Sequence, residues 1–298
     1  MLRSVEKQIK KYLKDLDEPD ILKLYTKLAK GKRLRAKLIL KIAGNSLKVV
    51  KMASIVEMIH AASLLHDDVI DNSTMRRKKP SINSIYGDKT AIMFGDILYS
   101  KGFYELNDID KQVSQIISNA VVKLGLGELV DVSLSQEFNI DRDIYLDMIY
   151  QKTASLIEAS AESAAILADK PSAPYKIYGR NLGLAFQMID DILDITVDSQ
   201  ILGKPAMHDF FEGKTTLPYI YLYQKLDEDD KKRLKSLHHQ KLNQTDEDWI
   251  KLQMKNHQII EYSYNEAKEL IDQAISLMEN AGEFDLSTIA RDMIERDF

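Results

Sequence analysis

Two short acidic clusters constrain this chain more than anything else in it. Leu64-Leu65-His66-Asp67-Asp68-Val69-Ile70-Asp71 is an apolar run that ends in three carboxylates. Met188-Ile189-Asp190-Asp191-Ile192-Leu193-Asp194 repeats the pattern 123 residues later. Each Asp-Asp-x-x-Asp lies on a segment that otherwise reads as buried helix. Residues i and i+4 of a helix share a face with Cβ atoms roughly 5–6 Å apart, which makes Asp67 and Asp71 neighbours. Two like charges at that separation repel by about 3 kcal/mol at an effective dielectric of ~20. One such cluster is compatible with a solvated helix end, but carrying the strain twice points to a cation that relieves it. Hard oxygen donors without cysteine or a histidine cluster suit magnesium, which prefers one or two carboxylates together with substrate phosphates. The expectation is two carboxylate faces that grip magnesium ions and a polyphosphate.

The remainder reads as an all-α scaffold. Only 12 Gly and 6 Pro interrupt 298 residues rich in helix formers, a composition that favours helices throughout. Residues 5–29 read as two short helices broken near Asp17-Glu18-Pro19, and a third runs from Gly31-Lys32-Arg33-Leu34-Arg35 through Ile42. Val49–Ile70 is the most apolar long helix. A polar connection over 72–89 leads to a buried helix over 90–106. Helices follow over 111–135, where Gly125 and Gly127 mark a close approach or a kink, and over 143–169 and 175–195. A loop over 203–214 precedes a helix at 216–225, a charged surface helix pair over 227–248 and a last long helix over 259–281. Strand signals are nearly absent and no linker of domain-separating length appears, so one domain spanning 1–298 with ten or more helices is expected.

A formal net charge of −5 gives no global basic field for nucleic acid. The absence of cysteine excludes disulfides and zinc–thiolate sites and suits a reducing, cytoplasmic setting. No apolar signal region precedes the first amphipathic stretch, and no apolar run approaches the ~18 residues of a membrane span. The adjacent pair His238-His239 invites a metal reading, but neighbouring residues on a helix point apart.

Cations gather beside both acidic clusters. Arg76-Arg77-Lys78-Lys79 begins five residues after Asp71, and guanidinium forks suit phosphate oxygens. Lys32, Arg33 and Arg35 sit at a helix start, where free backbone N–H groups also favour anions. Gly203-Lys204-Pro205 and Glu212-Gly213-Lys214 follow the second cluster, and Lys152-Thr153 interrupts a helix of small residues. That charge pattern suits two diphosphate groups and several metal ions.

As a set, Gly31-Lys32-x-x-Arg35, Glu57-x-x-His60, Asp67-Asp68-x-x-Asp71, Arg76-Arg77, Lys152-Thr153, Phe186-Gln187-x-x-Asp190-Asp191-x-x-Asp194 and Gly203-Lys204-Pro205 to Glu212-Gly213-Lys214 make the chain resemble the trans-isoprenyl diphosphate synthases, or polyprenyl synthetases, over nearly its whole length. The resemblance implies the isoprenoid synthase fold, a helical bundle around a deep central cavity, and a homodimer. It implies head-to-tail condensation of isopentenyl diphosphate onto an allylic diphosphate such as farnesyl or geranylgeranyl diphosphate. Asp67, Asp68, Asp71, Asp190, Asp191, Asp194, Lys152 and Lys204 become the expected catalytic set, with Asp67, Asp71, Asp190 and Asp194 as magnesium ligands. Arg76, Lys152, Thr153, Gln187, Lys204 and Lys214 are implied to contact the allylic diphosphate, and Lys32, Arg35, His60 and Arg77 the diphosphate of isopentenyl diphosphate. No side chain is an obvious general base, and in the family the departing diphosphate is the usual candidate.

Two positions depart from the family pattern: Lys78 stands where glycine often follows the arginine pair, and Asp209-Phe210-Phe211 replaces the common Asp-Leu. His66 reads as a packed or capping residue rather than a base. Ala62 and Ser63 lie about 6–7.5 Å, one helical turn, deeper than Asp67. In the family, large aromatics there mark short-chain enzymes. Two small residues therefore imply a medium- or long-chain product, with octaprenyl diphosphate for a quinone side chain the best match and Met93, Phe94 or Phe103 as candidate pocket floors. Such a long product would pass to membrane enzymes. A geranylgeranyl diphosphate synthase, a terpene cyclase and a non-catalytic synthase subunit are the alternatives; two complete acidic clusters argue against the last two.

Overall fold

The computed structural model describes residues 1–197 and 207–294. These residues are almost wholly helical, and they form two compact units: Met1–Val122 with Leu156–Lys176, and Lys123–Ser155 with Ile177–Phe298.

In the first unit, α1 (Leu2–Lys14), α3 (Leu34–Ala43) and α6 (Asp88–Leu106) all pack on α4 (Leu47–Ile70), while α2 (Pro19–Lys27) packs on α1. With neighbours on several sides, α4 is apolar around most of its circumference rather than along one stripe. Met52, Ala53, Ile55, Val56, Met58, Ile59 and Ala62 have no exposed surface. Each large aliphatic side chain so enclosed contributes roughly 1.5–3 kcal/mol, which makes α4 the axis of the unit. The polar residues it buries are satisfied: the Ser54 hydroxyl reaches the carbonyls of Val5 and Val50.

Among the described residues, two helices, Leu47–Ile70 and α7 (Lys111–Leu134), are long and apolar enough to cross a membrane by length and composition. Scattered charges break the apolar runs of both without making a whole window polar. The apolar window of α4 is 67% buried, as befits a core helix, whereas that of α7 is 28% buried. Val122, Leu126, Leu129 and Val132 are exposed at helical spacing along one side of α7.

The 72–89 connection is more ordered than its polarity suggests. Met75–Arg76 and Lys79–Pro80 pair as antiparallel strands, with Arg76 opposite Lys79. The two turn residues, Arg77 and Lys78, have φ of 51° and 62°, the mirror-image hairpin turn. Asn-Gly or Asp-Gly usually announces that turn; Arg-Lys does not. A short helix, α5 (Ile82–Tyr86), then leads into α6.

The expected helix over 143–169 is three pieces. α8 (Arg142–Ile149) starts at Asp141, whose carboxylate accepts the amides of Asp143 and Ile144. A π-helical turn, Tyr150–Ala154, follows, and α9 (Ser155–Leu167) continues. π-Turns insert an extra residue and recur at functional sites. Gly127 of α7 explains how this one packs: a Cβ there would strike the backbone of Lys152, whereas Gly125 faces open space.

The second unit holds the C-terminal part of α10 (Ser172–Thr196) and, after a short helical turn at His208–Phe211, five longer helices among the described residues: α11 (Leu217–Lys225), α12 (Glu228–Leu237), α13 (Gln244–Asn256), α14 (Ile259–Asn280) and α15 (Phe284–Ile294). α14 buries Ile259, Ser263, Ala267, Ile271, Ala274 and Met278, the i, i+4 stripe of an amphipathic core helix. Tyr178 donates to the Leu286 carbonyl at 2.9 Å, and the Asn181 amide to that of Leu270 at 3.3 Å, tying α10 to this set.

Candidate active site

In the first unit, a buried carboxylate organises the basic loop before α3. Glu57, 3% exposed, accepts the Ala36 backbone N–H with one oxygen and Arg33 Nη1 with the other, both at 3.0 Å. Arg33 also donates to Glu6 at 3.1 Å and to the Tyr25 hydroxyl at 2.8 Å. Arg33 is therefore a structural cation, and Glu57, quoted above as part of a motif, fixes the start of α3. Lys32 is left exposed, with Arg35 half-buried two residues after Arg33.

Arg35 has a buried Nε with no hydrogen-bond partner among the described residues. Burial pulls its pKa down to about 10, with Glu57 opposing and Arg77 assisting the drop. His60 shares these surroundings. Burial, then Arg35, Arg77, Arg76 and Arg33, push its pKa well below the ordinary range, so the imidazole is neutral at pH 7. Arg77 Nη1 donates to the Ala29 carbonyl at 3.3 Å, and its guanidinium occupies space that any side chain at Gly31 would fill. The fold thus brings Arg35, His60 and Arg77 together, with Lys32 on the adjoining loop.

At the end of α4, Arg76 bridges two aspartates of the first cluster. Its Nη2 lies 2.8 Å from Asp67 and its Nε 2.5 Å from Asp68. Burial opposes the Arg76 charge, but the two carboxylates outweigh it and raise its pKa. Asp68 is 4% exposed, whereas Asp67 and Asp71 are half-buried. The central aspartate is turned into the fold, where it holds the hairpin that carries Arg76 and Arg77. His66 is a packed histidine: its Nε2 lies 3.2 Å from the Ile92 carbonyl, and its ring meets Tyr99 at 5.6 Å. One turn deeper, Ala62 is fully buried and the Ser63 hydroxyl donates to the His60 carbonyl at 3.0 Å. On α6, Met93 is exposed, Phe94 is buried and Phe103 stacks on Tyr99 at 6.3 Å.

In the second unit, the π-turn presents Lys152 and Thr153. Lys152 Nζ is 2.5 Å from Asp131 and 2.9 Å from Glu128, one turn apart on α7. The Thr153 hydroxyl donates to Gln187 Oε1 at 2.8 Å, and Gln187 Nε2 donates to Asp191 at 2.8 Å. The other Asp191 oxygen accepts the Tyr145 hydroxyl at 2.6 Å. Asp191 is 3% exposed and Asp190 is exposed. Asp194 is buried, and its carboxylate accepts the Asp209 amide at 3.1 Å. Glu212 receives Lys214 at 2.9 Å and His208 at 3.0 Å. Burial opposes ionisation there, but His208 and Lys214 prevail and bring the Glu212 pKa to about 2. His238 caps α12 rather than lying within it, and its Nε2 is 2.7 Å from the Gly213 carbonyl. Lys204, with Gly203 and Pro205, falls outside the described residues.

Glu128, Asp131 and Tyr145 escaped the sequence reading. Their partners stand 24, 21 and 46 residues away, and no local pattern links positions so far apart.

An all-helical scaffold whose acidic helix segments are each accompanied by buried polar networks and cations defines a class of enzymes that handle anionic substrates. A sequence profile of the family described as polyprenyl synthetase matches residues 18–253, and the chain belongs to that family of prenyltransferases. An octaprenyl diphosphate synthase of Haemophilus influenzae is 33% identical over 258 residues, covering 84% of this chain and 78% of that one. A short chain isoprenyl diphosphate synthase of Methanocaldococcus jannaschii is 36% identical over 248 residues, covering 78% and 75% respectively. The crystal structure of octaprenyl pyrophosphate synthase from Helicobacter pylori superposes with a TM-score of 0.94 at 41% identity, covering 99% of this chain and 98% of that chain.

Proposed function

We propose that this prenyl diphosphate synthase condenses isopentenyl diphosphate head-to-tail onto an allylic diphosphate, with magnesium, to give a medium- or long-chain all-trans product, octaprenyl diphosphate fitting best. The observation that carries the isopentenyl side is the buried, unpartnered Nε of Arg35 beside Arg77 and a neutral His60. A buried donor without an acceptor costs about 1–3 kcal/mol, and a diphosphate oxygen would satisfy it.

Among the described residues no three acidic or histidine side chains form a ready-made metal cage, and the residues present fit magnesium as that ion is commonly held, by one or two carboxylates with substrate phosphates completing its shell. Asp67, Asp71 and Asp190 offer hard oxygens at or near the surface, and Asp67 already lies against a cation, the Arg76 guanidinium. Asp194 contributes to that set with the carboxylate that also caps Asp209. Bound magnesium would offset the charge that grows on the leaving diphosphate as the carbon–oxygen bond ionises. Arg76, Lys152, Thr153, Gln187, Lys204 and Lys214 orient that diphosphate and share in stabilising it. Lys32, Arg35, His60 and Arg77 hold isopentenyl diphosphate so that its double bond meets the allylic carbon. The exposed apolar side of α7, Val122 to Val132, supports a homodimer in which a second copy covers it.

The small residues Ala62 and Ser63 and the likeness to octaprenyl synthases support the long chain. A shorter product is the second reading, because Ala62 is fully buried and two relatives are named short chain synthases. Incubation with labelled isopentenyl diphosphate, each short allylic primer and magnesium, followed by product sizing, decides between them. Ser63→Phe should shorten the product; an unchanged length would reject Ser63 as part of the chain-length pocket.

A further inference from the structure

We infer that Tyr145 is a positioning residue for the allylic side of the site: through Asp191 and Gln187, its hydroxyl fixes which hydrogen-bonding groups Gln187 and Thr153 present. The inference rests on the reading that these two residues meet the allylic diphosphate. Tyr145 is 1% exposed, so its effect must pass through Asp191.

The direction of each hydrogen bond follows from the inventory of donors. The Asp191 carboxylate accepts the Tyr145 hydroxyl on one oxygen at 2.6 Å and Gln187 Nε2 on the other at 2.8 Å. That sets the Gln187 amide: nitrogen toward Asp191, oxygen toward Thr153. The Thr153 proton is then committed to Gln187 Oε1 at 2.8 Å. Only the second N–H of Gln187 is left to donate outward. One chain of hydrogen bonds therefore joins α8, α10 and the π-turn. A half-satisfied buried carboxylate is costly, so without the Tyr145 donor Asp191 competes for other donors and the Gln187 amide loses its fixed orientation.

Tyr145→Phe in the full-length enzyme removes one oxygen and keeps the ring. We expect kcat/KM for the allylic diphosphate to fall about tenfold, the scale of one buried hydrogen bond, with the KM for isopentenyl diphosphate unchanged within about twofold. Combined with Thr153→Ala, it should add little to the loss from Thr153→Ala alone, because the chain ends there. A second variant covers the case in which Tyr145→Phe does not fold. Asp191→Asn keeps the shape but replaces one of the two acceptor oxygens with a donor, so that Tyr145 and Gln187 can no longer both donate to it, and should cost the same parameter. Unchanged kinetics in these variants, equal effects on both substrates, or fully multiplicative effects in the double variant would overturn the inference. A wild-type enzyme that makes no product from isopentenyl and allylic diphosphates would instead overturn the functional reading, and the inference with it.

Discussion

Glu57 offers the sharpest test of how the basic loop is built. It is 3% exposed and serves two donors at 3.0 Å, Arg33 Nη1 and the Ala36 amide. Removing one member of a buried ion pair costs about 3–5 kcal/mol. Arg33 keeps Glu6 at 3.1 Å and the Tyr25 hydroxyl at 2.8 Å, so the loss for Glu57→Gln should be nearer 2 kcal/mol. The amide oxygen can still accept the Ala36 N–H. Glu57→Ala removes that acceptor as well, adding about 1–3 kcal/mol for an unsatisfied buried N–H, for a total near 4 kcal/mol. Arg33 also sits at φ 54°, a conformation that costs a non-glycine residue of order 1 kcal/mol and that these bonds must hold. Urea unfolding should show the midpoint falling in the order wild type, Glu57→Gln, Glu57→Ala, with the slope unchanged. Both variants should raise the KM for isopentenyl diphosphate more than that for the allylic substrate, since Arg35 follows directly. If Glu57→Gln lies within about 0.5 kcal/mol of wild type, or if the two variants are equal, the account of Glu57 as the anchor of this loop is wrong.

Lys78 has φ 62°, so Lys78→Gly should relieve backbone strain, raising stability by about 0.5–1 kcal/mol with activity retained; a lower melting temperature would show that the lysine side chain matters to the hairpin. Gly127→Ala places a methyl against the Lys152 backbone and should destabilise by about 1–3 kcal/mol, as overpacking does, while lowering kcat by displacing Lys152. Urea unfolding and steady-state rates check both effects. Glu212 titrates near 2 in the fold against an ordinary 4.5, so the unfolded chain takes up its proton first. Its contribution, of order 3 kcal/mol, is complete above pH 4.5 and disappears as pH falls toward 2. Glu212→Gln should flatten the acid limb of the stability profile over that window.

The helices were legible because their signals are local. Ser46 caps α4, apolar residues fill it, and the acidic cluster ends it, all within 26 contiguous residues. The hairpin at 75–80 was not legible, because its strands are two residues long and its left-handed positions hold arginine and lysine. The π-turn was hidden for a different reason. Nothing in Tyr150-Gln151-Lys152-Thr153-Ala154 disfavours an ordinary helix, and the packing that accompanies the extra residue involves Gly127, 25 residues earlier. The cationic side of the site could be read as composition, but its wiring could not. That Arg33 is structural while Arg35 keeps a free buried nitrogen depends on Glu57, Glu6 and Tyr25 meeting one guanidinium and not the other.

The acidic clusters themselves divide in a way that helical geometry explains. Successive residues turn by about 100°, so i and i+4 share a face while i+1 points elsewhere. Asp68 and Asp191 hold the i+1 place and are both buried: one takes Arg76 of the hairpin, the other Tyr145 and Gln187. Each Asp-Asp-x-x-Asp is thus not three equivalent ligands; its central carboxylate aims the groups around it. The third positions differ, since Asp71 is half-buried at a helix end whereas Asp194 is buried and holds the Asp209 amide. Asp194 lies four residues before the first stretch outside the described residues, and Asp209 lies beyond that stretch. Its carboxylate therefore ties the end of α10 to the segment that carries Glu212 and Lys214. Where Arg76 of the hairpin donates to Asp67 and Asp68 in the first cluster, a tyrosine hydroxyl and the Gln187 amide donate to Asp191 and a backbone amide to Asp194 in the second, so in both clusters a donor from a distant segment steadies the acidic helix end.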